Sequence, residues 1–313
     1  MLCVSRYMAF LDVSDDILIY GKTQEDHDES LRQVLQRLCE KGLTLNRPKC
    51  IFNKEHLKYL GYIFSKEGMS PDPDKVAALN MAEPPANATE VRSLLGMTNY
   101  CARFIHDYAT ITEPLRNLTK KDVEWTWGQR EQEAFDELKR SLREDTVTRY
   151  YNPKIPTVIY VDASPVGLGA ILVQDDAVVC FASRALTPVE QRYSQTDREA
   201  LGVVFGCEKY ILYVLGKPFV VITDHKPLTG IFNKPQSDPP ARIEKWMLRL
   251  QRYDMNVTAR TLDIPCFVKS CNDSLYMPLH SLYINFACYS KARKVALSTD
   301  FTGTSKVSNG SLY

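Results

Sequence analysis

From Tyr151 to Arg260 the apolar residues change period in a fixed order, and that order narrows the fold more than any other feature of the chain. "TVIYVDAS", "GLGAILVQ" and "AVVCFASRAL" are three β-type runs in succession, with turn chemistry at "SPVG" and "DDA". Val189 to Leu215 then follows a helical period, and "PFVVITDH" returns to strand. "PARIEKWMLRLQRYD" is helical again and "MNVTAR" is a last strand. Three strands, helix, strand, helix, strand predicts an α/β domain on a mixed sheet.

The part before Tyr151 has a different rhythm. Residues 9–21 read as a strand pair with Asp15 and Asp16 at its turn. An amphipathic helix is expected over 24–42, with Leu31, Val34, Leu35 and Leu38 on one face and Gly42 as its stop. "LTLNRPKCIF" and "LKYLGYIFS" read as short strands, the second interrupted by Gly61 and closed by "KEGMSPDPDK". After a Pro-rich break, a helix is predicted with Thr89 as its N-cap, and more helix in "ITEPLRNLTKK" and "GQREQEAFDELKRSLRED". From Thr261 no period is sustained, so this stretch reads as a tail that is helical around 282–297 or without fixed structure.

A chain of 313 residues with 44% hydrophobic and 25% charged side chains is long enough for two globular domains. Its net charge of +1 carries no global polyanion signal, so a nucleic-acid surface has to come from local sorting of the 39 basic residues. No apolar run approaches the roughly 20 residues of a membrane helix, and "MLCVSRYMAFLDVSDD" reaches acids too soon for a signal peptide. Nine cysteines form no C-x-x-C pair and no zinc spacing with histidine. Reduced thiols and an intracellular chain, cytoplasmic or nuclear, are the expectation, with Cys101 and Cys207 as small core residues.

Chemistry is suggested by three acids. Asp162 ends "TVIYVDAS", Asp224 ends "FVVITDH", and Glu199 lies within the helix between them. Adjacent strand ends with a helix packed across them bring such acids together, and like charges that close repel unless divalent cations neutralise them. Oxygen-only ligands suit Mg²⁺ or Mn²⁺, and two such ions about 4 Å apart can cleave a phosphodiester. Each acid alone is more readily a turn former or a solvated helix residue; the three in this order are what raise a site.

"VDASPVGLGAILVQ", "FASRALTPVEQRYSQTDREALGVVFGCEKYILYVLGKPFVVITDHKPL" and "RIEKWMLRLQRYDMNV" closely resemble the ribonuclease H domain of Ty3/gypsy-type retrotransposon polyproteins. "SDDILIYGKTQEDHDESLRQVLQRLCEKGLTLNRPKCIF" and "YLGYIFSKEGMSPDPDKV" resemble the end of a reverse-transcriptase palm, and "VRSLLGMTNYCARFIHDYATITEPLRNLTKK" its thumb and connection. The resemblance runs over roughly residues 9–260. It implies an α/β and α+β chain: a truncated palm over 1–85, a helical thumb and connection over 86–150, a ribonuclease H-like mixed-sheet domain over 151–260 and a divergent tail over 261–313. It implies catalysis and metal binding by Asp162, Glu199 (rather than Asp197) and Asp224, with two Mg²⁺ or Mn²⁺ ions and a structural His225. The implied reaction is hydrolysis of RNA in an RNA–DNA hybrid, leaving a 3′-hydroxyl.

Asp15 and Asp16 match the family's paired metal-binding acids in the "Y-x-D-D" hairpin, written here "V-S-D-D". The family places a third palm carboxylate well upstream, and Asp12 lies on the same hairpin, so no polymerase activity is expected of these residues alone. Family members also carry a fourth ribonuclease H acid on a helix after the last strand. Here the resemblance stops at "VTAR"; Asp263 and Asp273 are candidates by position only, and hydrolysis is expected to be weakened. Nucleic-acid contacts are expected from Tyr59 and Gly61 in "YLGY" and from Arg92, Asn99, Arg103 and Lys120, with Tyr100, Arg116 and Lys121 beside them. Partners are then an RNA–DNA hybrid and other Pol-derived chains, with no membrane. The competing expectations are a nucleic-acid-binding module without turnover and a genomic remnant without a role.

Overall fold

Phe10–Val13 (β1) and Asp16–Gly21 (β2) pair antiparallel as a hairpin. The structure is a computed structural model describing residues 10–13, 16–21, 23–143, 147–234, 239–260 and 280–285. The chain divides into two units, Met1–Glu55 with Pro278–Tyr313, and His56–Met277. In the first, Gln24–Glu40 (α1) packs Val34 and Leu38 on Ile17 and Ile19 of β2. Thr23 caps this helix, its hydroxyl accepting from the Asp26 amide at 3.1 Å. Beyond its end Gly42 takes a left-handed φ of 66°. Ile51–Lys54 (β3) completes the sheet through the strand His280–Asn285, which pairs antiparallel with both β2 and β3. That strand corrects the expectation of a helix beginning near 282. The alternation in "HSLYIN" suits a strand, and the free edge of β2 offers backbone partners that an isolated helix lacks; residues 286–297 lie outside the described ones.

The second unit opens with a small antiparallel sheet of Leu57–Tyr59 (β4), Tyr62–Phe64 (β5) and Met69–Pro71 (β6). Leu60 and Gly61 between the first two both have positive φ, the geometry of a two-residue hairpin turn. Pro73–Met81 (α2), Ala88–Asn99 (α3), Tyr108–Ile111 (α4), Glu113–Asn117 (α5) and Gln129–Arg143 (α6) follow. They enclose a core of Leu79, Val91, Leu94, Ile105, Leu115, Phe135 and Leu138. Asn87, not Thr89, caps α3: its Oδ1 accepts from the amides of both Thr89 and Glu90 at 3.0 Å. An Asx side chain reaches two amides from that position, which leaves Thr89 inside the first turn.

The five-stranded sheet is built from Thr157–Ala163 (β7), Gly167–Gln174 (β8), Ala177–Ala185 (β9), Phe219–Thr223 (β10) and Met255–Ala259 (β11). Its order is β11-β10-β7-β8-β9; β7 to β9 are antiparallel, while β10 runs parallel to both β7 and β11. This is the mixed sheet expected from the periodicity. The helix expected over Val189 to Leu215 is divided: a 3₁₀ turn at Glu190–Arg192, then Gln195–Lys209 (α7) and Ile211–Val214 (α8). Ser194 starts α7 by accepting from the Asp197 amide, and Tyr210 ends it, its buried hydroxyl donating to the Ala170 carbonyl at 2.8 Å. Pro227–Asn233 (α9) and Ala241–Leu250 (α10) complete the fold. Ile159, Val161 and Leu172 from the sheet meet Val203, Val204 and Cys207 of α7 and Ile243 and Leu250 of α10 in one core. Among the described residues no helix is long and apolar enough to cross a membrane.

Candidate metal centre and nucleic-acid surface

Along β7 the side chains alternate, with Thr157, Ile159, Val161 and Ala163 buried and Asp162 half-buried between them. The parallel register of β10 on β7 aligns Ile222 with Tyr160, and continuing it two residues sets Asp224 beside Asp162. Helix α7 crosses close by because Gly206 carries no side chain: a Cβ there would stand 2.8 Å from Val161 Cγ1, while a Cβ on Gly202 would be in ordinary contact, 3.7 Å from the Asp162 carbonyl oxygen. Glu199 lies one turn before Gly202 and so reaches the same strand ends. Each of the three acids offers an oxygen within 4.8 Å of the others.

Glu199 is only 2% exposed. Its Oε1 accepts from Gln195 at 2.5 Å, while Oε2 is buried without a hydrogen-bond partner. Burial, then the carboxylates of Asp162 and Asp224, push Glu199 up to about 8. Asp162 is raised too, by burial first and then by Asp107, with Asp224 contributing less. Three converging carboxyl groups, one with an oxygen left unsatisfied in the interior, form an oxygen-only donor set that suits a hard divalent cation. Asp197, two residues before Glu199, is held in an ion pair with Arg242 at 2.8 Å. The His225 Nε2 lies 3.1 Å from Thr196 Oγ1, which ties the end of β10 to the first turn of α7.

Of the palm pair, Asp15 lies outside the described residues, and Asp16 begins β2 opposite Val13. The nucleic-acid candidates divide. Tyr59 is 1% exposed and packs edge-on against Phe64, so it is a core residue and no contact surface; three-residue β4 alternates and points it inward. Gly61 is a structural requirement, because its φ of 75° is left-handed and strained for any other residue; a Cβ there would also crowd the ends of Lys75 and Tyr100. Around it Tyr100 stacks on Tyr62 with centroids 4.4 Å apart, Lys75 lies 3.8 Å over the Tyr100 ring, and Arg103 approaches Tyr62. On another face Arg92 donates to the Thr119 carbonyl at 3.0 Å and the exposed Lys120 to Asn117 at 2.5 Å. Asn99 is exposed, and Arg116 is turned inward onto the Ala109 carbonyl. Gln195 is marked in the sequence only by its spacing of four from Glu199 on one helix, and no local pattern marks Lys75 or Asp107.

Residues 152–253 match the family described as the RNase H-like domain found in reverse transcriptase, and residues 4–64 match reverse transcriptase (RNA-dependent DNA polymerase). The chain is 31% identical over 253 residues to the Transposon Tf2-3 polyprotein of Schizosaccharomyces pombe, covering 79% of this chain and 19% of that protein. It is 33% identical over 244 residues to the retrovirus-related Pol polyprotein from transposon 297 of Drosophila melanogaster, covering 78% of this chain and 23% of that protein. The chain belongs to the Ty3/gypsy-type retrotransposon Pol family. It spans about a fifth of the length of these curated Pol relatives. Among solved structures, the foamy viral protease-reverse transcriptase in complex with RNA/DNA hybrid has a TM-score of 0.68 at 18% identity. That likeness covers 85% of the present Pol chain and 38% of the viral one, and shows the shared fold. The same viral protein in complex with dsDNA aligns with a TM-score of 0.67, covering 82% and 56%.

Proposed function

We propose that the ribonuclease H-like domain hydrolyses the RNA strand of RNA–DNA hybrids with divalent cations held by Asp162, Glu199 and Asp224. The observation that carries this reading is the convergence of the three carboxylates, with Glu199 Oε2 buried and unpartnered among them. Mg²⁺ or Mn²⁺ bound there would supply a water of lowered pKa and counter-charge for the leaving 3′ oxygen. Asp162, at the end of its strand beside Asp224, would be one of the ligands holding the cations. Glu199 is held by Gln195 with one oxygen turned inward, and exposed Asp224 forms the solvent side where a phosphodiester can approach. Held up to about 8 by burial and its acidic neighbours, Glu199 would release its proton on binding a cation. Exposed basic side chains such as Lys75, Lys120 and Lys121, with Arg103, would meet the hybrid backbone.

The test incubates the full chain with an end-labelled RNA–DNA hybrid and Mg²⁺ or Mn²⁺, beside Asp162→Asn. Metal-dependent cutting of the RNA strand that the variant lacks is the expected result. Folded wild-type protein that binds hybrid equally well in chelator and cuts nothing would replace the hydrolase with a binding module.

A further inference from the structure

Asp107 is remote from the sheet in sequence but lies against it in space. The segment it begins is tied down at two points: the Ala109 amide donates to Ser183 Oγ at 2.9 Å, and Thr110 Oγ1 lies 3.1 Å from Ser164 Oγ. The ladder sets Asp162 opposite Gly169 and Gly169 opposite Ser183, so these three residues form a row on one face of β7, β8 and β9. Asp107 Oδ1 stands 2.5 Å from the position that a Cβ on residue 169 would take. Directly opposed residues of an antiparallel pair hold their Cβ atoms about 4.5–5.5 Å apart. The Asp107 carboxylate therefore fills the side-chain place next to Asp162 that Gly169 leaves open. Its other oxygen is 3.3 Å from His106 Nδ1, and His106 itself rests edge-on against Phe181 of β9.

We propose that Asp107 is a fourth carboxylate of the metal centre, reaching it from the segment before α4 and holding a cation on the Asp162 flank. The inference rests on the function proposed above. Two independent features point the same way. Glu199 Oε2 is a buried, unpartnered oxygen in the group it forms with Asp162 and Asp224, the group that Asp107 adjoins on its Asp162 side. Gly169 supplies the one change in β8 that makes room for a carboxylate beside Asp162, since any side chain there would displace it.

The experiment titrates Mn²⁺ alone into the full chain and reads free Mn²⁺ by electron paramagnetic resonance. Wild type, Asp107→Asn, Asp107→Gly, Gly169→Ala and Asp162→Asn are compared, with circular dichroism as the check on folding. Asp107→Gly keeps the left-handed backbone, φ 50° and ψ 31°, available while removing the carboxylate. Gly169→Ala keeps the carboxylate but pushes it away. Each of these three variants should bind Mn²⁺ about 10-fold or more weakly than wild type. Asp107 variants with wild-type affinity and stoichiometry, beside an Asp162→Asn chain that has lost Mn²⁺, would overturn this inference and leave the function standing. A wild-type chain that binds no Mn²⁺ would overturn both.

Discussion

Glu199 carries a carboxyl group in an interior that penalises its charge, next to two further acids. An unfolded chain releases that proton near 4.5, whereas the folded chain keeps it to about 8. Between those values the folded state binds more protons, so stability falls as pH rises through the window. In chelator, the melting temperature of wild type should fall more steeply from pH 5 to 8 than that of Glu199→Gln. Parallel profiles would mean that the acid ionises freely. At this scale the sequence was informative about identity and silent about environment. Residue type and order single out Asp162, Glu199 and Asp224, whereas the pattern at "YLGY" predicts a contact at Tyr59, which is buried. Accessibility depends on what packs against a three-residue strand, and no local pattern records that.

Helix α7 illustrates the scale of elements. A Cβ at Gly206 would meet Val161 Cγ1 at 2.8 Å and Ile159 Cγ2 at 3.1 Å, both on a strand in the middle of the sheet. Gly206→Ala should therefore destabilise by about 1–3 kcal/mol, since overpacking outweighs the gain in helix propensity. Urea denaturation measures this, and an alanine variant at least as stable as wild type would show that α7 can move outward freely. The strand runs β7 to β11 were legible because period 2 is written locally in β-branched residues. The interruption of the long helical period at Tyr210 was not. There a buried hydroxyl reaches the Ala170 and Cys180 carbonyls of β8 and β9, contacts that no local period records.

For the whole molecule, a net charge of +1 leaves no uniform field to draw in a polyanion, so affinity for a hybrid has to come from particular cations. Binding should weaken linearly in log–log salt plots, and Lys120→Ala or Lys121→Ala should each reduce the slope by about 1. An unchanged slope in both would move the binding surface to another face. The sequence by itself determined the order of elements, the three acids and the kinship with retrotransposon Pol proteins, because side-chain period and residue identity are local and additive along the chain. The tertiary structure alone decided that Asp107 stands beside Asp162, that Tyr59 is core and that Glu199 holds its proton. Those properties arise from distances and solvent exclusion between segments far apart in the chain, which are set only when the sheet and helices have closed on one another.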